Sequence, residues 1–277
     1  MARRRLARAL LRMTGKAPVS AFLITRDEEA RLPATLAALG WVDEIVVVDS
    51  GSTDQTCALA TAAGARVEHR AWTGYGAQKA HAEGLCRHDW VLNVDADEVV
   101  TGPLAAEITA LVAGRAAPGA YRIRILNVYP GDRAPRPFAN DYDVVRFYHR
   151  SAARYRDHPL FDRVALSDGE QPGRLSGVIH HFPYLSFGHF IAKENRYTDF
   201  VAQAAPARAR LWLLLRLPLE MPVSFLKFYV WRRHVFGGWK GFVFALGASF
   251  MRLMRLVKLL EQREMRGPQG DGSRGKG

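Results

Sequence analysis

Trp90-Val91-Leu92-Asn93-Val94-Asp95-Ala96-Asp97-Glu98 is an apolar, strand-like run that ends by placing two carboxylates, Asp95 and Asp97, where a buried sheet would release its chain into solvent. Carboxylates spaced i, i+2 at a strand end can reach one divalent cation, and Mg²⁺ characteristically sits between one or two protein carboxylates and substrate phosphates. Taken alone, an Asp-x-Asp equally describes a solvated acidic turn. The sequence upstream shifts the balance. Residues 19–24 form a short apolar run, and residues 28–39 carry Leu32, Leu36 and Leu39 at helical spacing. Glu44-Ile45-Val46-Val47-Val48 reads as a second buried strand, and a helix over 53–63 is stopped by Gly64. Residues 65–69 form a third strand, 77–86 a third helix and 90–94 the fourth strand. This βαβαβαβ rhythm predicts a parallel sheet covered on both faces.

In such sheets ligands collect outside the carboxyl ends of the strands. The chain puts acid there twice: Asp49 closes the second strand, and Asp95 with Asp97 closes the fourth. Within Asp49-Ser50-Gly51-Ser52-Thr53-Asp54, a helix N-terminus capped by Ser52 or Thr53, with Asp54 complementing the first turn, is the plainer reading. Capping does not require Asp49. The first strand runs into Thr25-Arg26-Asp27-Glu28-Glu29 instead of Gly-x-Gly-x-x-Gly, which argues against a dinucleotide-binding Rossmann domain.

These segments, with Trp41-Val42-Asp43-Glu44-Ile45 and Gly74-Tyr75-Gly76-Ala77-Gln78-Lys79, resemble in order and spacing the family 2 glycosyltransferases. The nearest likeness is to the WaaE/KdtX-like branch that adds a hexose to the lipopolysaccharide inner core. It spans residues 19–261 and is most specific through Glu98. The resemblance implies an α/β GT-A fold, the Rossmann-like, parallel-centred sheet of nucleotide-diphospho-sugar transferases, followed by a C-terminal amphipathic helical extension. It implies that Asp49 reads the uracil ring of a UDP-sugar, that Thr25 and Glu28 belong to the loop wrapping the nucleotide, and that Lys79 lies near the diphosphate. Asp95 would contact ribose or sugar and share the metal, Asp97 would ligate Mg²⁺ or Mn²⁺ directly, and His181 would touch the diphosphate or complete the metal shell. Plainer roles stand beside these: a solvated helix face for Lys79, and a structural hydrogen bond for His181. His158-Pro159-Leu160-Phe161-Asp162-Arg163-Val164 matches the family's acid ahead of an Arg-Val pair, so Asp162 is the expected base, as Asp where relatives commonly have Glu; an acid merely paired with Arg163 or Arg156 is its plainer reading. Lys193-Glu194-Asn195-Arg196-Tyr197 likewise matches a family signature and is expected to begin a helix facing the acceptor. The implied reaction is inverting transfer of a hexose, expected to be glucose, to a lipid-linked saccharide. A sugar-phosphate nucleotidyltransferase and a non-catalytic, membrane-bound nucleotide-sugar-binding module are the alternatives.

At 277 residues with 48% hydrophobic content, the chain can bury a substantial core. Its expected layout is a basic amphipathic segment over 1–17, a catalytic domain over 18–185, a helical membrane-associating or acceptor region over 186–265 and a polar tail over 266–277. Cys57 and Cys86 fall in predicted helices and read as reduced packing residues. The net charge of +12 suits either nucleic acid or anionic lipid. Its placement favours a membrane surface over nucleic acid. Arg3, Arg4, Arg5, Arg8 and Arg12 interleave with Leu6, Leu10 and Leu11, and residues 211–260 mix Leu, Phe and Trp with cations that break any run of about 20 apolar residues. Trp212, Phe225, Phe228, Trp231, Trp239 and Phe242 are candidate anchors, lying on the cytoplasmic face of the inner membrane. Packing on the catalytic domain, or a homodimer through this apolar third, remains open.

Overall fold

A computed structural model of the protein describes residues 15–114, 116–138, 140–156, 163–205 and 209–266. Asp162, residues 1–14 of the basic N-terminal segment and residues 267–277 of the polar tail lie outside the described residues.

Four strands form the parallel part of the sheet: β1 (Ala17–Thr25), β2 (Val42–Asp49), β3 (Arg66–His69) and β4 (Trp90–Asn93). They are joined by α1 (Leu32–Ala37), α2 (Thr56–Ala62) and α3 (Tyr75–Leu85). The chain continues through β5 (Glu98–Val100), α4 (Gly102–Ala113), β6 (Ala120–Asn127), β7 (Asp141–His149), β8 (Ala153–Tyr155), β9 (Val164–Leu166) and β10 (Gly173–His181). The eight-stranded sheet runs β3-β2-β1-β4-β7-β6-β10-β5, while β8 and β9 pair separately. The expected parallel pairing therefore holds as far as β4. Beyond it β7 joins β4 antiparallel, β6 joins β7 antiparallel and β10 joins β5 antiparallel, which makes the sheet mixed.

Alternation along β1 sorts the core. Ala17, Val19, Ala21 and Leu23 face Leu32, Leu36, Leu104 and Ile108, while Phe22 packs with Val46, Val48, Ala82, Tyr148 and Tyr155 on the opposite face. Covering both faces requires near-continuous apolar strands, and β1 and β2 have them. Two helices are shorter than expected. Pro33 has no N–H and must lie in a first turn, so α1 starts at Leu32 and not near residue 28. Helix α2 starts at Thr56 because residues 52–54 are spent on loop contacts described below.

Of the described residues, those within 127–140 and from Pro183 onward form a second compact unit. It contains α5 (Phe187–Ala204), α6 (Arg210–Leu226), a π-helical turn (Lys227–Trp231), a 3₁₀ turn (His234–Gly237) and α7 (Gly238–Arg266). Helix α5 begins six residues before the expected start at Lys193, since Ser186 caps it by accepting from the His189 N–H at 3.0 Å. Tyr129 and His234 share a buried 2.6 Å hydrogen bond, and Lys240 Nζ donates to the Pro130 carbonyl at 2.8 Å and to Asp132 at 2.6 Å. Buried Glu220 accepts from Arg252 Nε at 2.8 Å and from Arg216. Among the described residues, no helix is long and apolar enough to cross a membrane.

Candidate active site

The carboxyl ends of β1 and β2 are laced together. Thr25 pairs with Asp49 in register, and the Ser50 N–H donates to the Thr25 carbonyl at 3.0 Å. Beyond the strands, Ser52 Oγ accepts from the Asp27 N–H at 2.9 Å, and Asp27 Oδ1 accepts from the Thr53 N–H at 2.7 Å. Asp54 accepts from the Glu29 N–H at 3.1 Å, and Thr56 Oγ1 from the Glu28 N–H at 2.7 Å. Ser52 and Thr53 thus tie the first loop down and do not cap the helix as expected; the N-cap position is Gln55, which makes no side-chain cap. Asp27 adopts φ 53°, a left-handed conformation that Asp tolerates better than most residues.

Asp49 is buried, with Oδ2 accepting from the Gly51 and Ser52 N–H groups at 2.9 Å each and Oδ1 from the Ser52 hydroxyl. Burial alone would raise its pKa, but these hydrogen bonds outweigh it and hold the carboxyl below its ordinary value. Gln78 on α3 braces the same loop, donating to Ser50 Oγ at 3.0 Å and to the Arg70 carbonyl at 2.9 Å. Thr25 Oγ1 is buried beside this loop without a partner, as is Gln78 Oε1. Unpartnered buried acceptors at a strand end are places where a ligand's donors can be received.

The second acidic turn carries most of the charge. Lys79 is only 1% exposed, which rules out a solvated helix face, and its Nζ lies 2.8 Å from Asp95 Oδ1. Arg146, on β7, reaches Asp95 Oδ2 at 2.6 Å and Glu98 Oε1 at 2.8 Å, and also donates to Asn93 Oδ1. Burial would raise the Asp95 pKa, yet the guanidinium of Arg146 and the ammonium of Lys79 hold it far below the carboxylate range. Glu98, fully buried, is pushed up by burial; its Oε2 accepts from the Asp95 N–H at 2.9 Å.

Asp97 points to a different pair of partners. Its Oδ2 accepts from Arg31 Nη1 at 3.1 Å, and its Oδ1 lies 3.4 Å from His181 Nε2. Arg31 also donates through Nε to Glu28 at 2.7 Å, which joins the first loop to the acidic turn. Pairing of Glu98 with His181 across β5 and β10 puts the imidazole at this position. Burial would lower the His181 pKa, but the hydrogen bond and charge of Asp97, with Glu98 and Asp95 behind it, raise it. Thr35 Oγ1 donates to the Ala96 carbonyl at 2.9 Å, pinning the turn from α1.

The structure therefore gathers Lys79, Asp95, Asp97 and His181, joins Glu28 to them through Arg31, and sets Thr25 and Asp49 side by side at the neighbouring strand ends. It adds Arg146, Glu98, Arg31 and Gln78, which the sequence reading had not assigned. A cleft of about 540 Å³ opens beside Asp95, lined by Arg122, Tyr142, Arg146, Tyr155, Arg163 and Leu166 among others. That size suits a small-molecule ligand.

Three comparisons bear on identity. The glycosyl transferase family 2 model matches residues 20–163. An uncharacterized glycosyltransferase of Rickettsia typhi is 34% identical over 253 residues, spanning 88% of this chain and 87% of its own, and the lipopolysaccharide core biosynthesis glycosyltransferase LpsC of Rhizobium meliloti is 29% identical over 273 residues, spanning 92% and 96%. Among solved structures, glucosyl-3-phosphoglycerate synthase from Mycobacterium tuberculosis in complex with Mn²⁺, UDP and glucosyl-3-phosphoglycerate is 26% identical, covering 46% of this chain and 48% of its own at a TM-score of 0.31, an overlap too slight to carry any inference. The match over more than half the sequence, with a near end-to-end likeness to the Rickettsia protein, sets aside both the nucleotidyltransferase and the non-catalytic module. The chain belongs to glycosyl transferase family 2.

Proposed function

We propose that the protein transfers a hexose, glucose in the first instance, from a UDP-sugar to a lipid-linked saccharide of the lipopolysaccharide inner core, with inversion, at the cytoplasmic face of the inner membrane. The observation that carries this reading is the division of labour at Asp95-Ala96-Asp97: two buried cations neutralise the first carboxylate, while the second faces a histidine. The likeness to LpsC supports the acceptor class.

A divalent cation fits this turn. Asp97 Oδ1 and His181 Nε2 converge at 3.4 Å, and among the described residues no third His, Cys, Asp or Glu joins them in a metal-holding group. Mg²⁺ or Mn²⁺ held by few protein ligands keeps positions for phosphate oxygens and water, as Mg²⁺ at phosphate sites usually does. Asp97 and His181 would hold the ion, with Asp95 adjacent; when bound, it would neutralise charge on the departing diphosphate. Asp95, kept anionic by Lys79 and Arg146, is an acceptor-only group suited to sugar or ribose hydroxyls. Thr25, Glu28 and Asp49 would shape the uridine end, and Lys79 the diphosphate side. The acceptor hydroxyl would attack the anomeric carbon as its bond to the diphosphate breaks, UDP would leave, and the hydroxyl proton would pass to Asp162.

The test is a nucleotide-sugar panel with mass detection of product on extracted lipopolysaccharide core, run with and without Mn²⁺. UDP-hexose consumption that needs the metal and falls at least a hundredfold in Asp97→Ala is expected. Turnover indifferent to both overturns the reading.

A further inference from the structure

Among the described residues, the second unit carries an apolar surface that nothing covers. Along α6 and the turn after it, Leu211, Leu215, Leu219, Val223, Leu226 and Val230 recur at helical spacing, and each is 59–68% exposed. Beyond them Trp231 is 84% exposed and Trp239, at the start of α7, 66%. Soluble monomers rarely leave a stripe of this length open. An apolar hollow of about 510 Å³ lies at its end, lined by Leu226, Lys227, Val230 and Trp231.

Charge identifies the occupant. Residues 221–260 contain no Asp or Glu and seven cations: Lys227, Arg232, Arg233, Lys240, Arg252, Arg255 and Lys258. Lys240, Arg252 and Lys258 are turned to carboxylates, at Asp132, Glu220 and Asp199. Lys227 and Arg232 lie exposed in the same corner as Trp231, between the two helices. A second copy of the chain docked through a two-fold axis would oppose this acid-free surface to itself. An anionic bilayer meets both requirements, since it accepts the apolar stripe and attracts the cations around it.

We infer that the corner formed by the end of α6, the π-helical turn and the start of α7 is an interfacial docking surface for anionic phospholipid, with Trp231 and Val230 inserted and Lys227 and Arg232 at headgroup level. This goes beyond the proposed reaction by assigning the membrane contact to one surface. It rests on that reading only for the membrane's biological role.

The test is co-sedimentation of the full chain with phosphatidylcholine vesicles containing about 30% phosphatidylglycerol, to imitate an anionic leaflet, against pure phosphatidylcholine. Wild type should partition to the anionic vesicles. Val230→Glu/Trp231→Glu should weaken partitioning at least tenfold, and Lys227→Glu/Arg232→Glu should erase the preference for anionic lipid. UDP-hexose hydrolysis and the thermal midpoint, read on the same variants, separate loss of docking from loss of fold. Unchanged partitioning in both variants overturns the assignment, since the N-terminal basic segment or another surface would then be responsible. So does a wild-type chain that ignores vesicles but dimerises with concentration, since a second copy would then cover the stripe. Docking without turnover would leave this surface standing while the proposed reaction fails.

Discussion

At the scale of single residues, Arg146 is the side chain on which the acidic turn depends. It neutralises Asp95 and Glu98 together, and Glu98 has no exposed surface. Removing one member of a buried ion pair leaves the others charged in a poor solvent, at a cost of about 3–5 kcal/mol. Arg146→Ala should therefore lower the unfolding free energy from urea denaturation by that amount and reduce transfer at least a hundredfold, whereas Arg146→Lys, which keeps the charge but not the fork, should recover part of the stability. Lys79→Met should behave differently. Asp95 keeps Arg146, so the fold should persist while kcat/KM for the UDP-sugar falls tenfold or more, read by steady-state kinetics beside a melting curve. The two residues also differ in how visible they were. Lys79 and Asp95 sit in short local motifs, whereas Arg146 reaches the site only because β7 pairs with β4 fifty residues away in sequence. Its signal was a lone Arg in the apolar run Val144-Val145-Arg146-Phe147-Tyr148, a place where charge is rare unless paired.

At the scale of elements, local pattern was enough as long as each strand paired with a neighbour through one helix. That condition holds from β1 to β3, and β4, though it crosses over to pair with β1, still keeps the parallel pattern; apolar runs and Gly64 mark the boundaries there. It fails afterwards, because β5 and β10 pair across some eighty residues and nothing in either strand announces the other. Close approach fixes that half of the sheet: a Cβ on Gly177 of β10 would lie 2.4 Å from Leu104 Cα on α4. Gly177→Ala should cost about 1–3 kcal/mol, seen as a lower thermal midpoint. In the helical unit, burial and Arg232 push His234 down to about 4. The folded protein then favours the neutral imidazole, while the unfolded chain takes a proton near pH 6.5, so this contribution is complete above pH 6.5 and is lost as pH falls towards 4. The loss reaches about 3 kcal/mol at most. Unfolding free energies at pH 7 and pH 5 should show the decline, and His234→Gln should flatten it.

At the scale of the whole molecule, the net charge of +12 is concentrated in two acid-free stretches, residues 1–26 and 221–260, which together hold the entire excess. What lies between them and after them is close to neutral, and its active-site charges are matched locally, Lys79 and Arg146 against Asp95 and Glu98, Arg31 against Glu28 and Asp97. On the proposed reading the basicity serves association and not catalysis, a distinction suggested by charge position along the chain and not by composition. Exposed charges are screened within about 10 Å at 0.1 M salt and about 3 Å at 1 M, whereas apolar insertion is not weakened by salt. Partitioning onto anionic vesicles should accordingly fall steeply between 0.05 and roughly 0.5 M NaCl and level off at a residual set by the exposed Leu, Val and Trp side chains. UDP-hexose hydrolysis, which depends on buried pairs, should change little over the same range. A binding curve that falls to zero would assign the contact to charge alone, and hydrolysis that falls in parallel would mean that the two acid-free stretches are coupled to the reaction.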